Sequence, residues 1–101
     1  MHESSIRISS YEQLRTFIAE TLSKFESLDP QQYPLAQRVL TQAGQPCGLY
    51  FCLHGPRAVR LTAIWETRGN TILFYGADGQ RLQRTALLEP PAIESCLSCA
   101  A

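Results

Sequence analysis

The stretch CGLYFCLHGPRAVRLTAIWETRGNTILFYGADGQRLQRTALL, Cys47–Leu88, decides the fold class. Leu49, Phe51 and Leu53 alternate in its first run, and Val59, Leu61, Ala63 and Trp65 alternate in its second. Period-two alternation marks strands with one buried face. Three turn signals separate the runs: Gly55-Pro56-Arg57, Gly69-Asn70 and Ala77-Asp78-Gly79. An odd loop at the first keeps both apolar sets on one side. The second reads as a two-residue hairpin turn, placing Trp65 across from Phe74 and Ile64 across from Tyr75. The third suits a type I turn closed by a left-handed glycine, setting Phe74 against Leu82 and Tyr75 against Arg81. The expectation is a four-stranded antiparallel meander. Arg84 dissents: it falls on the core face unless it snorkels at an edge or a bulge shifts the last strand.

Outward from the meander, the first half predicts the layer that covers it. Ser9 and Ser10 offer an N-cap, with Glu12 or Gln13 completing a capping box. Leu14, Phe17, Ile18, Leu22, Phe25 and Leu28 then form one stripe on an amphipathic helix of about 18 residues. Asp29-Pro30 is its expected end, because the residue before proline leaves the helical region. Pro34 with Leu35, Ala36, Val39, Leu40 and Ala43 predicts a second helix, stopped at Gly44 and blocked by Pro46. Ile6-Arg7-Ile8 alternates and could add a short strand. The expected fold is therefore α+β, with two N-terminal helices on one face of a four-stranded meander. It forms a single domain over 1–89, and after Pro90-Pro91 the chain reads as a loose tail over 90–101.

At 101 residues the chain is one domain of ordinary size, able to bury roughly 65% of its unfolded surface without a disulfide or metal. Apolar content of 45%, charge content of 18% and zero formal net charge fit a globular protein and argue against bulk binding to nucleic acid or anionic lipid. Charge is unevenly spread. Residues 1–46 carry four basic and five acidic side chains, while 47–88 carry five arginines against Glu66 and Asp78. Lys24 is the sole lysine. No basic segment leading into an apolar one opens the chain, and no apolar run approaches the roughly 18 residues of a membrane span. A cytoplasmic setting with reduced cysteines is the expectation.

Two helices would cover one sheet face and leave the other open. That open face should present Tyr50, Cys52, His54, Arg60, Thr62, Ile64, Glu66, Leu73, Tyr75, Arg81 and Gln83. A solvated face is normally rich in Thr, Lys, Glu and Ser. Tyrosine and arginine enrichment without lysine is instead the composition of interface patches. The expected function is a non-catalytic protein-interaction module, with binding residues Tyr50, His54, Arg60, Thr62, Ile64, Leu73, Tyr75 and Arg81. Its expected partner is protein, first of all a second copy. The bland alternative is an ordinary sheet face whose long side chains lie over one another.

Three other classes of function meet obstacles in the sequence. Sheet aromatics stack bases in the common four-stranded RNA-binding domain, but that domain interleaves helices with strands, and its aromatic-glycine signature is absent here. A zinc-supported adaptor would need Cys52 and His54, about 7 Å apart on one strand face, joined by the CxxC pair Cys96 and Cys99. The tail would have to fold back across Pro90-Pro91 to supply that pair, so no metal and no cofactor is assigned. A ligand-binding or enzymatic domain would place His54, Tyr50 or Tyr75, and Arg60 around a pocket between helices and sheet. No GxSxG, HExxH or phosphate-cradling glycine loop supports catalysis.

Overall fold

The computed structural model describes residues 2–89. It contains one α-helix and one six-stranded mixed sheet: β1 (His2–Ile6), α1 (Tyr11–Phe25), β2 (Leu35–Gln42), β3 (Gln45–His54), β4 (Arg60–Glu66), β5 (Thr71–Tyr75) and β6 (Arg81–Leu87). This corrects the expectation of two helices on a four-stranded antiparallel meander. The strand order is β1-β6-β5-β4-β3-β2. β1 lies parallel to β6 and every other neighbour is antiparallel. The chain thus starts at one edge, crosses the sheet through α1, enters the opposite edge as β2, and returns strand by strand.

The predicted second helix is β2. Leu35, Gln37 and Val39 face the core beside Leu53, Phe51 and Leu49, while Ala36, Arg38 and Leu40 face the other way. Apolar residues at 35, 36, 39, 40 and 43 satisfy helical spacing, yet the same segment alternates. Tertiary pairing decides between the readings. Gly44 is no helix stop. With Ala43 it forms a two-residue hairpin turn, φ +53° and +80°, between paired Gln42 and Gln45. Both central residues are left-handed, as in a type I′ turn. Gln37, a polar residue on the core side of an edge strand, is held from the helix by Tyr11 and by Arg15, whose Nη1 donates across 2.7 Å.

α1 begins where predicted. The Ser10 hydroxyl accepts from the Gln13 amide at 3.1 Å, and the Gln13 side chain accepts from the Ser9 backbone at 2.9 Å. It ends before Asp29-Pro30. Ser27 turns left-handed at φ +53°, and the Leu28 amide donates to the Ser23 carbonyl at 2.8 Å. This is a Schellman closure with serine in the usual glycine position.

The core lies between α1 and the sheet. Leu14, Ile18 and Leu22 of the helix pack with Leu49, Phe51, Leu53, Leu61, Ala63, Trp65, Ile72 and Phe74, all buried. Phe17 and Phe25 meet the Phe74 ring edge-on, centroids 6.0 and 6.3 Å away. Those geometries add about 0.5–1.5 kcal/mol per pair to area burial. Among the described residues no helix is long and apolar enough to cross a membrane.

The meander's register differs from expectation by an even step. Trp65 pairs with Ile72, Ile64 with Leu73, and Thr62 with Tyr75. The turn therefore holds four residues, Thr67–Asn70, rather than two. An even slip preserves which face each side chain occupies, so the face assignment survives the error. Between β5 and β6, Tyr75 pairs with Arg81 but Phe74 pairs with Gln83. The extra residue, Leu82, is a bulge. It moves Arg84 to the open face opposite Leu73 and brings Gln83 to the core side, where its amide donates to Thr85 Oγ1 at 2.9 Å. Gln83 therefore leaves the expected open-face set.

Candidate functional site

The face away from α1 carries two rows of side chains in register. Across the middle of the sheet run Glu3, Arg84, Leu73, Ile64, Tyr50 and Arg38, one per strand from β1 to β2. Beside it run Arg81, Tyr75, Thr62, Cys52 and Ala36. His54 and Arg60 form the last pair of β3 and β4 at one end, and Glu66 ends β4 at the other. All eight predicted binding residues stand on this face. Tyr50, Thr62, Ile64, Leu73 and Tyr75 are half-buried, whereas His54, Arg60 and Arg81 are exposed.

Two arginines lie over tyrosines. The Arg38 guanidinium carbon is 5.1 Å from the Tyr50 ring centre, and that of Arg81 is 5.6 Å from the Tyr75 ring. Arg81 also donates to the Tyr75 hydroxyl at 3.2 Å. Such contacts hold long side chains in fewer rotamers, so less entropy is lost when a partner arrives. Arg84 is tied differently, to Glu3 at 3.5 Å. The Tyr50 phenol is pushed above its ordinary value, first by burial and then by the neighbouring Cys52 thiol; Arg38 and Arg60 pull in the other direction. The shift favours the protonated phenol, a hydrogen-bond donor.

The loop between His54 and Arg60 is short and strained. The Gly55 amide donates to the Val59 carbonyl at 2.8 Å. Within that closure Arg57 and Ala58 are both left-handed, φ +56° and +63°. Each costs on the order of 1–2 kcal/mol for a residue with a Cβ.

Sequence reasoning missed Arg38, Ala36, Arg84 and Glu3. The first two lie on β2, where the apolar spacing predicts a helix; the signal for a strand is Leu35, Gln37 and Val39 alternating up to a glycine turn. Arg84 was displaced by the bulge, and Glu3 lies in a strand that starts earlier than Ile6. The pocket expected between helix and sheet is not the place where His54, Tyr50, Tyr75 and Arg60 meet. That interface is filled by the core, and those four residues lie on the opposite face. For a metal, Cys52 and His54 share the open face, but Cys96 and Cys99 lie outside the described residues. Among the described residues no group of three or more His, Cys, Asp or Glu side chains could hold a metal ion.

Comparison with protein-family models, with curated proteins and with solved structures finds no match to this chain.

Proposed function

We propose that this chain is a non-catalytic protein-interaction module that self-associates through the open face of its sheet. The observation that carries the reading is the central strip of Leu73, Ile64, Tyr50, Thr62 and Tyr75. These residues are half-buried within the monomer, and arginines rather than lysines flank them. A face of tyrosine, aliphatic and arginine side chains releases more free energy when covered than a Thr/Lys/Glu face does.

One strand of this face offers a reciprocal ion pair to a second copy. β4 carries Arg60 at one end and Glu66 at the other, roughly 20 Å apart at the rise of a strand. A two-fold axis lying between the two faces, perpendicular to β4 and level with its midpoint, sets each Glu66 against Arg60 of the other copy, which is the reciprocity an isologous interface requires. A cytoplasmic setting agrees with free thiols at Cys47 and Cys52.

Tyr75→Glu tests the reading by placing a charge within the strip: dimer is lost while the fold remains. Charge reversal tests the orientation. Glu66→Arg and Arg60→Glu each weaken association, and the double variant restores it. Unchanged assembly in Tyr75→Glu rejects the interface.

A further inference from the structure

Arg38 and Arg60 border a depression of about 330 Å³ on the open face, lined also by Ala36, Gln37, Tyr50, Cys52 and His54. The lining contains no carboxylate. The ion pairs among the described residues are Arg7 with Glu89 and Arg84 with Glu3, so neither guanidinium at the depression is matched. Guanidinium offers five donors and no acceptor, and a protonated phenol adds another donor. Arg38 is held over the Tyr50 ring, a stacking that fixes the guanidinium while leaving N–H groups at its edge free. The short Gly55–Val59 loop joins paired His54 and Arg60, which line the depression.

We infer that this depression is an oxyanion-binding site, taking a phosphate or carboxylate group between Arg38 and Arg60 with the Tyr50 hydroxyl donating to it. Charge-assisted donors grouped with no carboxylate among them are the arrangement that planar or tetrahedral oxyanions satisfy. His54 stands at the rim as a further N–H donor. The site goes beyond self-association and does not depend on it. The oxyanion has two sources, a free small anion or the Glu66 carboxylate of a second copy.

The test is a titration of the Tyr75→Glu variant with inorganic phosphate at constant ionic strength set by chloride, followed through backbone amide shifts. That variant removes self-association without altering the lining. The expected result is saturable binding, with shifts concentrated at Ala36–Arg38, Tyr50–His54 and Arg60–Thr62. Arg60→Gln and Arg38→Gln should each weaken binding at least tenfold. Arg57→Gln, exposed in the adjacent loop but outside the lining, should leave it unchanged. Shifts that never saturate, or an equal loss in Arg57→Gln, would overturn the site and indicate general charge screening. Repeating the titration with the wild-type chain assigns the occupant. Phosphate binding that weakens as dimer accumulates identifies Glu66 of a second copy as the competitor, and binding indifferent to concentration identifies a free anion. A wild-type chain that is monomeric throughout would reject the interface and leave the phosphate result standing.

Discussion

The two faces of one sheet are built from alternate residues of the same strands, yet they meet different physical demands. Toward α1, Leu49, Phe51, Leu53, Leu61, Ala63, Ile72 and Phe74 are wholly buried and Trp65 is 1% exposed. On the other side, Tyr50, Ile64, Leu73 and Tyr75 are only half-covered, by each other and by arginines. The first face is closed by the chain's own helix; the second has the composition of a closed face and nothing of the described chain over it. Core substitutions should therefore change stability, and open-face substitutions should change association.

The sharpest break in that contrast comes at Phe74, where two aromatic rings from α1 converge. Phe74→Ala should cost about 3–5 kcal/mol in chemical denaturation. A loss near 1 kcal/mol would mean that the helix packs loosely. Next is Gly48, on β3 between β2 and β4, where an added Cβ would sit 2.2 Å from the carbonyl oxygen of Trp65. Because the obstacle is backbone and not a mobile side chain, Gly48→Ala should cost at least about 1–3 kcal/mol.

On the open face the scale falls. Tyr75→Glu should shift monomer stability by no more than about 0.5 kcal/mol, while removing the dimer. Arg81, no longer over a ring, can pair with the new carboxylate. The smallest effect concerns Tyr50 and pH. Its folded-state value lies above the ordinary 10.0, so the native state holds the phenolic proton more tightly than the unfolded chain. The associated stability is fully present below pH 10.0 and is lost as pH rises through the folded-state value. Tyr50→Phe should flatten that alkaline decline in a denaturation series, and an unchanged slope would show that the phenol titrates freely.

The sequence was most legible where turn chemistry and alternation agreed. Ala77-Asp78-Gly79 places Gly79 left-handed at φ +83°, and Tyr75 does face Arg81. Faces were readable even where register was not, because the error at the Thr67–Asn70 turn was a slip of two. Arg84 announced the Leu82 bulge by being out of place. The Leu35–Gln42 segment was not legible, since Leu35, Val39 and Leu40 satisfy helical and strand periods together. Its pairing with the edge of β3, which decides the matter, is not a local property. The parallel pairing of His2–Ile6 with β6 was hidden too: His2, Glu3, Ser4 and Ser5 carry no apolar alternation. Ser4 meets its partner Thr85 through a hydroxyl contact of 2.8 Å. Arg38 could not be placed in the site while its strand was read as helix.

The most direct test of an open face completed by a second copy is the solution molar mass from light scattering. Wild type and Tyr75→Glu would be compared side by side under reducing conditions over a tenfold range of concentration. The account predicts wild-type mass rising toward twice the 11.3 kDa of the chain, with the variant at the monomer mass throughout. Two chains of equal mass at every concentration would contradict it.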